Sequence, residues 1–203
     1  MVERLGLSPE QVLELLHTGS RSWGDVKSDR LGRDYDPDFR KALRVWRRGA
    51  SGWRASTLME GNAGEKYVSY EARLDLDFDG TGRLFCGRIA NTTQQGQLVF
   101  FDTILAGNVA SFFAAMGAVY EAAGYVGHVD VGVATIGLQG SVPFGQHHWG
   151  DEPGFLGPAP GRTARVSAAQ LRDEPKAVAL MLIGRLLEAL TGRTYSPFDD
   201  AET

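Results

Sequence analysis

The 203-residue sequence has little cysteine and no long apolar run. Its single cysteine, Cys86, excludes the internal disulfide framework that holds many small secreted domains together. No charged start followed by an apolar stretch resembles a signal peptide. The longest apolar stretch, residues 109–120, is too short to cross a bilayer. We therefore expect a cytoplasmic protein without a membrane role.

The sequence also lacks the short motifs of well-known catalytic and nucleotide-binding sites. It contains no G-x-S-x-G nucleophile turn, no phosphate-binding loop and no dinucleotide fingerprint. Cys86 and Ser141 are candidate nucleophiles, but nothing in the pattern selects them, and a thiol within a strand usually behaves as a small apolar group. The sequence thus favours a non-enzymatic protein, with no catalytic residue and no cofactor assigned.

Two clusters of metal-ligating residue types deserve a test. Acidic residues alternate along 75–79, as in the first half of a calcium loop, but Cys86 stands where such a loop needs a bidentate glutamate. His147 and His148 stand near acidic residues, although adjacent residues rarely converge on one ion and a structural site needs about four ligands. We predict no metal site in either cluster.

Charge is distributed unevenly along the chain, whose net charge is −4. Residues 1–56 carry 11 basic and 8 acidic side chains, whereas residues 57–203 carry 10 and 17. Contact with nucleic acid is therefore expected to involve the N-terminal quarter of the chain.

The clearest structural pattern is a run of period two that begins at Tyr67. Apolar residues such as Leu74 and Leu76 alternate with polar ones up to Phe78, which is typical of a strand with one buried and one exposed face. Asp79–Gly82 supplies residues that tolerate positive φ, so the chain can reverse there. We predict an antiparallel hairpin over Tyr67–Ala90.

The remaining elements are predicted from caps and periodicity. Helices are expected from Ser8 to Gly19, from Asp38 to Arg48, over 107–123 and from about 173 to Gly192, with Pro175 in the first turn of the last. Strands are expected over 97–101, beside the hairpin, and over 126–138, and a long loop over 140–165.

This order of elements, without a repeated βα unit, favours an α+β fold. We predict an antiparallel sheet built on the central hairpin, packed against two long helices, with a short helical N-terminal region. The expected organisation is a basic helical region over residues 1–52 and an α+β domain over residues 53–203.

The predicted Asp38–Arg48 helix is the most suggestive candidate for a binding surface. Its apolar residues Phe39, Leu43 and Trp46 would dock on the sheet, leaving five cations on the remaining surface to contact phosphates or an acidic partner. These candidate binding residues are Arg40, Lys41, Arg44, Arg47 and Arg48.

A family resemblance rests on a set of glycine and apolar positions. They are Leu84–Arg88, Phe100–Asp102, Leu105–Gly107, Ala123–Gly127, Val131–Ala134 and Gly137–Leu138. Over residues 81–192 the chain resembles the C-terminal region of actinobacterial multidomain proteins whose N-terminal part is a Schlafen-type, AlbA-like DNA-binding domain. The resemblance implies, by context alone, work near nucleic acid or in defence and regulation.

Two functions follow as hypotheses. The first is a non-enzymatic interaction or regulatory module that contacts a protein partner, a second copy of itself or nucleic acid through the basic N-terminal helix. The alternative is a small-molecule binding protein or enzyme, with a pocket between the Gly-rich strand and the loop carrying His147 and His148.

Overall fold

The predicted hairpin forms one end of a four-stranded antiparallel sheet. The computed structural model describes residues 7, 11, 14–15, 46–49, 51–56, 72–86, 89–144, 154–157, 161–192, 194 and 196–198. The strands of this sheet are, in spatial order, β1 (Trp46–Arg48), β2 (Gly52–Ser56), β3 (Ala72–Asp77) and β4 (Gly82–Cys86). Within the described residues the hairpin prediction is thus confirmed as β3 and β4.

Two backbone hydrogen bonds close the turn between β3 and β4. The N–H of Asp77 donates to the carbonyl of Thr81 at 2.9 Å, and the N–H of Gly80 donates to the carbonyl of Asp77 at 2.9 Å. Gly80 adopts φ 91°, a conformation that glycine enters without steric cost. The resulting register places Leu74 opposite Leu84.

Helix α1 (Asp102–Ala122) occupies the centre of the molecule. The predicted helix is confirmed, although it begins five residues before Gly107, and 12 of its 21 residues are buried, fewer than the nearly complete burial predicted. Among the described residues, α1 is the one helix that is long and apolar enough to span a membrane by length and composition. Of its apolar window, 67% is buried inside the protein. That burial is typical of the core helix of a soluble domain and gives weak evidence for a membrane span.

Two smaller sheets complete the strand content. One contains β5 (Ala90–Thr92), β6 (Leu98–Phe100) and β8 (Val142–Pro143), with β6 antiparallel to β5 and parallel to β8. The other pairs β7 (His128–Val133) with β9 (Arg162–Ser167).

These sheets correct two expectations. The strand expected over 97–101 exists as β6, but it does not join the hairpin, because the chain turns at 93–97 and returns along β5 instead. The segment expected to be a loop over 140–165 contains β8 and the start of β9. The sequence does not indicate strand β9, because Arg162 and Arg165 interrupt its apolar pattern.

The C-terminal end folds as two helices rather than one. Helix α2 (Ala168–Asp173) begins with a capping box between Ser167 and Gln170. Helix α3 (Pro175–Thr191) has the predicted proline in its first turn and ends at Gly192, which has φ 68°. Glu174 separates the two helices with non-helical dihedrals, as expected of a residue that precedes a proline.

The hydrophobic core joins these layers and confirms the α+β class, with two long helices packed against sheets. Leu74 and Leu76 of the hairpin contribute to the same buried cluster as Met116 of α1 and Ile183 of α3. Leu15, in a helical position within the predicted first helix, packs against this cluster. The described part of that helix comprises Gln11, Glu14 and Leu15.

The predicted division at residues 52 and 53 falls inside β2. Strand β1 pairs with β2, and β2 pairs with β3, so the end of the predicted N-terminal region belongs to the same sheet as the hairpin. The sheet therefore connects the two predicted regions through backbone hydrogen bonds.

Candidate functional site

The last three residues of the basic helix predicted over Asp38–Arg48 form a strand in the structure. Residues 46–48 form β1 and pair with residues 53–55 of β2, so the helix prediction is wrong for this segment. Gly49, expected to stop a helix, lies in the turn of this hairpin and donates its N–H to the carbonyl of Gly52 at 2.7 Å. The strand forms because β2 offers a complete antiparallel partner. Arg40, Lys41 and Arg44 lie outside the described residues.

Strand geometry separates the two predicted site residues that the structure does describe. Arg47 lies opposite Arg54 and Arg48 lies opposite Trp53. Since successive residues of a strand alternate between faces, Arg47 and Arg48 belong to opposite faces of the sheet.

A different group of arginines lies on the face of the sheet directed away from the core. The register aligns Arg47, Arg54, Asp75 and Arg83, one residue from each of the four strands. Residues directly opposite each other in antiparallel strands share a face, so this row places cationic positions on either side of one carboxylate.

Asp75 is the buried centre of this row. Its residue exposure is 7%, although the alternating pattern places it on the face expected to be exposed. One carboxylate oxygen binds Nε of Arg54 at 2.8 Å, and the other binds Nη2 of Arg73 at 3.0 Å. The hydrogen bond to Asp75 raises the pKa of Arg54. The guanidinium groups cover the carboxylate, which explains why this strand position is not solvated.

Asp77 repeats the arrangement at the end of β3. Its Oδ2 accepts a 2.6 Å bond from Nη1 of Arg83, and its Oδ1 accepts a 3.4 Å hydrogen bond from the hydroxyl of Ser51. The side chain of Arg83 is 51% exposed, whereas that of Asp77 is 19% exposed. Here too the guanidinium group is more exposed than the carboxylate that it binds.

An aromatic ring borders the same surface. Phe85 of β4 lies opposite Arg73, and the Arg73 guanidinium carbon is 4.4 Å from the ring centroid. This distance is typical of a cation–π contact. Phe85 is nevertheless 49% exposed. We call the surface formed by Arg54, Arg73, Arg83 and Phe85, with Asp75 and Asp77 beneath, the arginine face.

The acidic ladder is not arranged as a cation site. Asp75 and Asp77 are bound to arginines, and Oδ1 of Asp79 accepts the N–H of Thr81 at 2.8 Å. That backbone hydrogen bond lowers the pKa of Asp79. Within the ranges that the structure describes, no three His, Cys, Asp or Glu side chains are grouped to hold a metal ion. His147 and His148 lie outside those ranges.

The described residues supply no activating group to the two candidate nucleophiles. Burial raises the pKa of the Cys86 thiol to about 12, so the reactive thiolate is disfavoured at neutral pH. Ser141 is 1% exposed, and among the described residues its hydroxyl has no hydrogen-bond partner. A serine nucleophile needs a base within hydrogen-bonding reach, and the described residues place none beside the Ser141 hydroxyl.

The arginine face combines residues that the sequence scatters over 30 positions, from Arg54 to Phe85. Arg73 alone belongs to a segment whose strand pattern is strong. Knowledge of the hairpin register would have indicated this surface, because the register sets Arg83 beside Asp75. The register depends on the exact position of the turn, which the sequence does not define.

No protein-family model, curated protein or solved structure matches the chain. The resemblance of residues 81–192 to the C-terminal region of the Schlafen-type multidomain proteins stays a prediction.

Proposed function

We propose that the chain is a non-enzymatic interaction module that binds nucleic acid through the arginine face, with the phosphate backbone as the main contact. The observation that carries this proposal is the layering of charge. The side chains of Arg54 and Arg83 are 59% and 51% exposed, whereas that of Asp75 is 9% exposed. A polyanion that approaches the sheet therefore meets cations before it meets carboxylates.

The carboxylates also fix the orientation of the cations. Arg54 and Arg83 each commit a nitrogen to an aspartate, at 2.8 Å and 2.6 Å, and the planar guanidinium leaves further N–H donors directed elsewhere. Such oriented donors match the geometry of phosphate oxygens and lose less side-chain entropy on binding than free arginines would. The acidic net charge of the chain does not oppose this, because interactions beyond about 8–10 Å are screened at moderate salt.

The proposal moves the binding surface from the predicted helix to the sheet. The candidates Arg40, Lys41 and Arg44 stay a prediction, as do a regulatory role and a protein or self-association partner. The small-molecule alternative also stays a prediction, because the loop with His147 and His148 lies outside the described residues. Arg47 lies opposite Arg54 in the backbone register.

Fluorescence anisotropy with labelled RNA and DNA oligonucleotides tests the proposal. We expect Arg83→Gln to weaken binding about fivefold or more and to lower the slope of log affinity against log salt by about one. The matched control is Arg165→Gln, which removes the same charge from an exposed arginine paired with Asp130 on the two-stranded sheet. This control should change affinity by less than about twofold.

Circular dichroism and thermal unfolding establish that both variants are folded. Failure of the wild type to bind any oligonucleotide at low salt overturns the proposal. Equal losses for Arg83→Gln and Arg165→Gln also overturn it, because binding would then follow total charge and not the arginine face.

A further inference from the structure

Phe85 occupies an unusual position at the border of the arginine face. It is a large apolar side chain, 49% exposed, on a surface otherwise made of charged groups. It lies on β4, the last strand of the four-stranded sheet, and in the described residues no strand pairs with the outer edge of β4.

The contact with Arg73 uses one side of the Phe85 ring. Arg73 projects from β3, on the inner side of β4, with its guanidinium carbon 4.4 Å from the ring centroid. Phe85 is 49% exposed despite this contact, so part of the ring is accessible to a ligand. Arg83 precedes Phe85 by two positions, so the two side chains share a face about 7 Å apart along the strand.

An exposed guanidinium beside a half-exposed aromatic ring is the combination used to bind single-stranded nucleic acid, in which bases stack on aromatic side chains. A duplex keeps its base planes inside the stack, where a ring on a flat sheet cannot reach them. Resting on the proposed function, we infer that the arginine face binds single-stranded nucleic acid and that one base stacks on Phe85 while Arg83 contacts a neighbouring phosphate.

Three oligonucleotides of equal length separate stacking from charge: a thymine single strand, an abasic strand with the same phosphates, and a duplex. We expect the wild type to bind the thymine strand about 5- to 150-fold more tightly than the abasic strand, which corresponds to the range measured for one stacked base. The duplex should bind less tightly than the thymine strand, because its bases are not free to stack on Phe85.

Variants at Phe85 test the role of the ring. Phe85→Leu keeps an apolar side chain without an aromatic plane and should lower affinity for the thymine strand to that for the abasic strand. Phe85→Trp should retain or strengthen thymine binding. Phe85→Leu should lower affinity for the thymine strand more than affinity for the abasic strand, whereas a merely structural effect would lower both affinities equally. Thermal unfolding establishes that both variants are folded.

The outcomes distinguish the two proposals. If Arg83→Gln weakens binding while Phe85→Leu leaves thymine and abasic affinities unchanged, the face binds phosphates alone and the stacking inference is overturned. Tighter binding to the duplex than to the thymine strand also overturns it while leaving the proposed function intact. Absence of binding to all three oligonucleotides at low salt overturns both.

Discussion

The hydroxyl of Tyr120 donates a 3.0 Å hydrogen bond to the carbonyl oxygen of Gly80. Tyr120 is buried in the last turns of α1, and Gly80 is buried in the turn between β3 and β4. The bond therefore attaches the hairpin that carries the arginine face to the central helix. Gly82 adds to this contact, because a Cβ there would lie 2.5 Å from the sulfur of Met116 in α1.

Tyr120→Phe removes that hydrogen bond and leaves the buried Gly80 carbonyl without its donor. We expect the free energy of unfolding to fall by about 1–2 kcal/mol, measured by urea denaturation at neutral pH. Tyr125→Phe is the control, since Tyr125 is 37% exposed and donates a 2.7 Å bond to the carbonyl of His128. Its effect should be about 0.5 kcal/mol or less. Equal effects of the two substitutions would contradict a special role for the Gly80 contact.

Tyr120 also gives stability a dependence on alkaline pH. Burial raises the pKa of its hydroxyl from 10.0 to about 12, so the unfolded chain ionises first. The contribution of the protonated hydroxyl is complete below pH 10.0 and is lost as pH rises towards 12. Between these values the wild type should lose stability more steeply than Tyr120→Phe, as measured by denaturation at a series of pH values. Parallel pH profiles of the two proteins would show that burial does not raise the pKa of the Tyr120 hydroxyl.

Two glycines of α1 should respond oppositely to alanine. A Cβ at Gly117 would lie 2.5 Å from the backbone nitrogen of Arg172 and 2.7 Å from its Cα, and this backbone cannot rotate away. Gly117→Ala should therefore destabilise the protein by about 1–3 kcal/mol. A Cβ at Gly107 meets nothing within 4 Å. Gly107→Ala should stabilise by about 0.5–1 kcal/mol through helix propensity. Chemical denaturation of both variants measures the difference, and a shared sign would refute the close packing of α1 on α2.

The elements predicted correctly are those whose patterns are local and strong. The hairpin follows from strict alternation around 72–78, and α3 follows from Pro175 and Gly192 at its two ends. The errors occur where tertiary partners decide. Trp46 is the last residue of a helical apolar pattern that begins at Phe39, but β2 provides residues 46–48 with a strand partner that the local sequence cannot indicate.

The candidate site was beyond prediction for a related reason. The sequence marks Asp75 as a solvated residue, because nothing local shows that Arg54 and Arg73 will cover it. A turn displaced by one residue would move Arg83 to the opposite face of the sheet relative to Asp75. The arginine face thus depends on register, which the hydrogen bonds of Asp77 and Gly80 establish.

The covering of Asp75 leads to the last prediction. Asp75→Asn removes the negative charge between Arg54 and Arg73 and leaves two guanidinium groups close together without compensation. We expect a loss of about 1–2 kcal/mol in the free energy of unfolding, below the 3–5 kcal/mol typical of a broken buried pair because both arginines are partly exposed. The measurement is urea denaturation at low ionic strength.

The matched control is Asp130→Asn, which removes a carboxylate paired with Arg165 at 3.2 Å, where the two side chains are 74% and 70% exposed. Because water screens that pair, its loss should cost about 0.5 kcal/mol or less. Added salt should reduce the penalty of Asp75→Asn, since counterions relieve the repulsion between the freed guanidinium groups. If the two substitutions lower the free energy of unfolding equally, Asp75 does not hold Arg54 and Arg73 in their observed orientation.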